Sequence, residues 1–249
     1  KWMFRHIDPA TVPDHIFRAA ERKAAVPAGS TVGRIARWLQ PVLPEKRLYN
    51  HVHLEILDAG GNYLNPARFV KTSKDYYPPQ LHGLYAVKHG TPSAIEIDGR
   101  NHAILSGRID LVGCVTDRMN RAAYRHSIYA ASLFIDRIDV AGSTTARIEE
   151  YEVFRFDRLP FKGERTQLSK VIFRDQIMVG PKKLQANASS GPRSFLINFS
   201  SGTTKTGYAA DKSFDTARYP DGSYLLGISI EDYAGNTRQY RFPISIRNR

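Results

Sequence analysis

Apolar residues recur at every second position in short runs along most of the chain, and Gly, Pro and Asn break the runs. "STVGRIARW", "HVHLEIL", "AILSGRIDLVGCVTD", "IYAASLFIDRIDV", "EEYEVFRF" and "SYLLGISIEDYAGNTRQYRFPISI" all carry this period. A period of two predicts strands with one face towards a core and one towards solvent. Helical periodicity is scarce. "DPATVPDHIFRAAERKAA" contains the best helix-forming run, and the stretch from Asn65 opens a short turn at Pro66. The pattern predicts an all-β chain.

The rhythm breaks at "TSKDYYPPQ", residues 72 to 80, where two tyrosines and the Pro78-Pro79 pair favour an extended connector. This predicts a first module over 1–75, a linker over 76–93 and a second β-region over 94–249. Inside the second region, residues 162–218 are richer in Lys, Ser, Gly and Thr and alternate less cleanly, which predicts an insertion. No repeat of fixed period is visible.

A length of 249 residues and a hydrophobic content of 42% suffice for a sizeable core. No apolar run is long enough to cross a bilayer, so no transmembrane segment is expected. The opening "KWMFRHIDP" lacks the apolar stretch and cleavage site of a signal peptide. A lone cysteine, Cys114, lies in a strand-like run and reads as a buried thiol. The net charge of +12 favours polyanionic surroundings. An anionic wall or outer-membrane surface is one candidate; the positive residues are spread along the whole chain and match no nucleic-acid-binding pattern, so nucleic acid is not expected, and charge alone names no partner.

Candidate chemistry concentrates in "LYNHVHLEI", residues 48 to 56. On a strand His51, His53 and Glu55 share one face, while Val52, Leu54 and Ile56 take the other. A His-x-His pair alone offers at most two of the three or four ligands that zinc needs. Its surroundings add specificity: "WMFRHI" and "VPAGSTVGRIARW" come before it and "EILDAGGNYLNPARFV" after it.

Over residues 1–70 this string resembles the lysostaphin and LytM-type zinc endopeptidases that cut peptidoglycan. The matching positions are Phe4 and His6 in "FRHI", Gly29, Val32, Gly33 and Ile35 in "AGSTVGRI", His51, His53, Leu54 and Glu55 in "HVHLEI", and Gly61, Asn65 and Pro66 in "GNYLNP". The resemblance implies the C-terminal part of a lysostaphin-type peptidase sheet, with zinc as cofactor and peptidoglycan as substrate. It implies His53 as a metal ligand. His6 and His51 would flank the metal and act on water and oxyanion, with Glu55 and Asn65 in the second shell or substrate groove. The family's other two ligands come from a His-x-x-x-Asp segment ahead of the aromatic-x-His strand, and only five residues precede His6. The expectation is therefore the C-terminal part of a longer or nicked protein, with an upstream fragment as companion. His15, His82, His89, His102 and His126 have no spacing that would replace the pair.

"YPDGSYLLGISIEDYAGNTRQYRFPISI" resembles the closing hairpin of immunoglobulin-like sandwich domains in bacterial surface proteins. Asp232, Ala234, Gly235 and Asn236 suit its tight turn. The resemblances together imply a periplasmic or secreted, envelope-associated protein whose second region is an immunoglobulin-like β-sandwich. Two function classes remain in play: a zinc endopeptidase acting on stems or cross-bridges, and a non-catalytic relative that binds the wall or regulates other hydrolases.

Overall fold

A computed structural model describes residues 1–37, 50–71, 74–100, 102–120, 125–139, 141–159, 171–186, 194–201, 203–204, 207–208 and 213–248. The chain is mostly β-sheet and divides into two compact units, Lys1–Val70 and Lys71–Arg249. In the first lie β1 (Trp2–Arg5), α1 (Asp14–Glu21), β2 (His53–Leu57) and β3 (Tyr63–Leu64). The second contains β4 (Gln80–Lys88), β5 (Ser93–Ile97), β6 (Ala103–Leu105), β7 (Arg108–Thr116), β8 (Ala130–Ile138), β9 (Thr144–Arg155) and β10 (Arg158–Leu159). It continues with β11 (Phe173–Arg174), β12 (Gln176–Val179), β13 (Lys182–Gln185), β14 (Phe195–Asn198), β15 (Thr203–Thr204), β16 (Gly207–Tyr208), β17 (Phe214–Asp215), β18 (Gly222–Glu231) and β19 (Thr237–Ile246). Among the described residues, no helix is long and apolar enough to cross a membrane.

In the first unit β2 pairs antiparallel with β1, Arg5 opposite His53 and Phe4 opposite Leu54, and with β3. The alternation of "HVHLEI" is only partly realised. Ile56 is buried, Leu54 is half-buried and Val52, ahead of the strand, is exposed. The β2–β3 turn is closed by Asp58, whose carboxylate accepts from the Asn62 backbone N–H at 2.9 Å. Asn65 then caps the 3-10 turn Pro66–Arg68 by accepting from the Ala67 N–H at 3.0 Å.

In the second unit two sheets share one core. The first runs β11-β14-β7-β4-β5-β12-β13, with β17 also on β7, and the second runs β6-β19-β18-β8-β9. Period two places Tyr224, Leu226, Ile228 and Ile230 of β18 in that core, facing Leu84, Leu111 and Ile197 of the first sheet. The first sheet is covered on its other face too, by a second cluster containing Tyr85, Val87, Val112, Ile177 and Leu196. A strand covered on both faces buries nearly every residue, as β7 does. Cys114 in that strand is half-buried and unpaired.

Two boundaries expected from the sequence are corrected here. Residues 80–88, assigned to a linker, form β4 in the interior of the first sheet, with Leu84 fully buried. Pro78 and Pro79 end the break in rhythm; the strand begins directly after them. The described parts of 162–218 are no excursion either. β14 pairs with β7 along four residues, and Phe199 is fully buried. A polar network, Asn198 Nδ2 to Ser201 Oγ at 2.8 Å and Ser200 Oγ to Asn198 Oδ1 at 2.6 Å, satisfies the buried side chains that made the segment look like a loop. Residues 162–170, 187–193, 202, 205–206 and 209–212 of that expectation lie outside the described residues.

Candidate metal centre

Three histidines from two stretches of the first unit converge. His6 follows β1, His51 precedes β2 and His53 opens it. One ring nitrogen of each lies within 4.8 Å of the others, and the His51 and His53 Nε2 atoms are 3.0 Å apart. The ring centroids are 4.7 to 4.9 Å apart in all three pairs.

Local backbone structure explains how His6 reaches the group. Its φ is 64°, a left-handed conformation rare for a residue with a Cβ. The flanks hold it there: the Ala36 N–H donates to the His6 carbonyl at 2.8 Å, the Asp8 N–H donates to the Arg34 carbonyl at 2.8 Å, and Ile7 bridges Ile35. That bridge depends on Gly33, where a Cβ would sit 2.6 Å from Ile7 Cγ2. Left-handed backbone costs a β-carbon-bearing residue roughly 1–2 kcal/mol, partly offset by the extra freedom glycine has when unfolded. His6→Gly should therefore exceed His6→Ala in stability by up to about 1 kcal/mol in urea unfolding followed by a probe in the first unit. Equal stabilities would show that the backbone there relaxes freely.

Desolvation holds the His6 imidazole below its ordinary pKa, and the neighbouring His51, His53 and Arg5 lower it further. Arg5 itself is engaged, Nε to Glu55 Oε1 at 2.8 Å. Glu55 thus pairs with the arginine beside the cluster and is not one of its members. Asn65 serves as the turn cap described above. The other expected non-participants are elsewhere: His15 is on α1, His82 bonds Thr116 Oγ1 at 2.7 Å, and His89 Nδ1 is 3.0 Å from buried Asp110.

The cluster could hold a metal ion, and imidazole nitrogen is a donor that zinc accepts. Neutral imidazole is also a ligand of the right softness.

Sequence reasoning missed a second cluster, Asp75, Asp117 and Asp232, whose carboxylate oxygens also lie within 4.8 Å of one another. These residues are far apart in sequence, and no motif joins them. Each is tied to backbone: Asp75 accepts from the Tyr77 and Asn120 N–H groups, Asp117 from Arg118 and Asp232 from Asn236. They fasten the segment before β4 to the β18–β19 turn, in which Gly235 has a φ of 88°. Burial pushes Asp117 up to about 6, the Arg118 N–H opposes this, and Asp232 and Asp75 add to it. The unfolded carboxyl titrates near 3.8. The folded unit therefore gains stability from Asp117 as pH falls from about 6 towards 3.8, and lacks that gain above 6. Asp117→Asn should raise the melting temperature at pH 7.5 by a few degrees, on the order of 2 kcal/mol, and the advantage should vanish near pH 4. A variant less stable than the parent at pH 7.5 would refute this.

No protein-family model matches the chain, and no curated protein sequence matches it.

Proposed function

We propose that this chain carries the histidine part of a zinc-dependent endopeptidase of the lysostaphin type, acting on peptide bonds in peptidoglycan stems or cross-bridges. The observation that carries the reading is the convergence of His6 with His51 and His53, which lie in a stretch remote from it in sequence. The ordered match of "FRHI", "AGSTVGRI", "HVHLEI" and "GNYLNP" supports it.

In this reading His53 holds the metal, which when bound supplies a Lewis acid for the scissile carbonyl and a water acidic enough to attack at neutral pH. His51, in ring-nitrogen contact with His53, takes the proton of the attacking water and returns it to the leaving amine. His6 donates a hydrogen bond to the oxyanion of the tetrahedral intermediate. Its unusual backbone conformation orients the ring towards the other two. Arg5 pairs with Glu55 at the edge of the site, and its charge still helps to keep the His6 imidazole neutral. The second unit is read as an immunoglobulin-like sandwich, and the high positive charge suits an anionic wall in the periplasm or outside the cell.

One observation favours the rival reading, a wall-binding or hydrolase-regulating protein without catalysis. Among the described residues the cluster of His6, His51 and His53 contains no carboxylate. Incubating the zinc-loaded chain with purified peptidoglycan separates the two. The endopeptidase releases soluble peptides and new amino termini and is stopped by chelation. The regulator sediments with the wall, metal or no metal, and releases nothing. Release of neither kind with no sedimentation would refute both.

A further inference from the structure

Thr11, half-buried, closes the 3-10 turn Pro9–Thr11 just after His6. Asp8 caps that turn by accepting from the Ala10 N–H at 3.1 Å. Past His6 the chain pairs briefly with the stretch around Ile35, and the hydrogen bonds of that pairing are irregular in one place.

In an antiparallel ladder the residues next to a non-hydrogen-bonded pair exchange both of their N–H···O bonds. Around the Ile7–Ile35 bridge two bonds are regular: the Ala36 N–H donates to the His6 carbonyl and the Asp8 N–H to the Arg34 carbonyl, each at 2.8 Å. The bond that should complete the Asp8–Arg34 pair would run from the Arg34 N–H to the Asp8 carbonyl. Instead the Thr11 hydroxyl is inserted there. Its Oγ1 accepts from the Arg34 N–H at 2.8 Å and donates to the Asp8 carbonyl, also at 2.8 Å. The side chain bridges the two backbone groups as a water molecule would, but is covalently fixed in place.

The opposite stretch is fitted closely to this arrangement. At Gly33, whose φ is 135°, a Cβ would lie 2.6 Å from Ile7 Cγ2 and 3.3 Å from Thr11 Oγ1. Removing the hydroxyl leaves the Arg34 N–H without its acceptor, whereas the Asp8 carbonyl keeps the Thr11 N–H at 3.0 Å. The ladder then loosens at the end that holds His6, and the left-handed φ of 64° there persists only while its surroundings impose it.

We propose that Thr11 is a positioning residue for His6: its hydroxyl completes the short ladder that keeps His6 left-handed and thereby aims the imidazole at His51 and His53. The effect on catalysis rests on the hydrolase reading, in which His6 meets the oxyanion; the effect on conformation does not.

NMR of the labelled full chain tests this with Thr11→Val, which keeps the shape and removes the hydroxyl, and Thr11→Ser, which keeps the hydroxyl. The parent should show the strong intraresidue HN–Hα NOE of a positive φ at His6, and NOEs from its ring to those of His51 and His53. Thr11→Val should lose both and keep the cross-strand contacts of Phe4 with Leu54; Thr11→Ser should keep all of them. On soluble peptidoglycan fragments Thr11→Val should lower kcat about tenfold with KM changed by less than about twofold, and Thr11→Ser should restore most of the rate. In a His6→Ala background Thr11→Val should alter the rate by less than about twofold, because it acts through the imidazole. Absence of the His6 signature in the parent, its survival in Thr11→Val, its loss in Thr11→Ser, or a full further loss of rate in the His6→Ala background would each overturn the proposal. So would disappearance of the Phe4–Leu54 contacts in Thr11→Val, which would make Thr11 an ordinary fold residue. A parent that releases no peptides while Thr11→Val still erases the His6 signature would sink the hydrolase reading and leave the positioning role standing.

Discussion

Exchanging His53 for alanine should abolish release of peptides from purified wall, a loss of about a thousandfold or more, and should remove bound zinc at the same time. His51→Ala should cost activity by about 10²- to 10⁴-fold, the range for removal of a general base, while sparing most of the metal. The two variants differ because the two side chains touch different things: His53 is assigned the metal, whereas His51 reaches it only through the 3.0 Å contact with His53. Glu55→Gln should sit far below both, since Glu55 is occupied by an exposed pair with Arg5. The readouts are new amino termini per minute and zinc per chain after dialysis. Full activity in either histidine variant would refute the assignment. Loss of activity in all three with unchanged zinc would instead point to a wall-binding surface around β2.

How far the sequence led can be judged residue by residue. The strands of the second unit were legible because β18 buries alternate residues, and alternation survives in the sequence as "YLLGISI". "LVGCV" in β7 is nearly continuous because that strand is covered on both faces, and there the period of two disappears. β14 was hidden. "FLIN" is short, and the buried Asn198, Ser200 and Ser201 beside it have the composition of a loop, although hydrogen bonds satisfy them inside. In the site, His51 and His53 announce themselves by spacing, but their approach by His6 was carried only by the resemblance. Nothing in "FRHID" reveals a φ of 64° or the bridge from Ile7 to Ile35. The Asp75, Asp117 and Asp232 group had no local signal at all, because it joins a pre-strand segment, a strand end and a hairpin turn.

Gly227→Val should unfold the second unit at 37 °C, and Gly227→Ala should destabilise it by about 3 kcal/mol or more. Gly227 lies directly opposite Phe134 in the β18–β8 ladder, and the Phe134 ring lies across it. A Cβ at Gly227 would meet Phe134 Cζ at 1.8 Å, Cε2 at 2.0 Å and Cε1 at 2.3 Å, distances at which the ring has to leave. It has nowhere cheap to go. The ring is fully buried, with the Arg147 guanidinium 4.0 Å from its centre and that of Arg241 at 5.7 Å. Arg147 is itself held by Asp136 at 2.7 Å and Glu150 at 2.6 Å, so displacing the ring also disturbs an ion-pair network on the same face. A double-mutant cycle isolates the cause. Phe134→Ala alone should cost about 3–5 kcal/mol. In that background Gly227→Ala should cost less than about 1 kcal/mol, because the Cβ then occupies space the ring has vacated. Additive losses would show that Gly227 matters for backbone reasons, and the account of a ring seated on a glycine would be wrong.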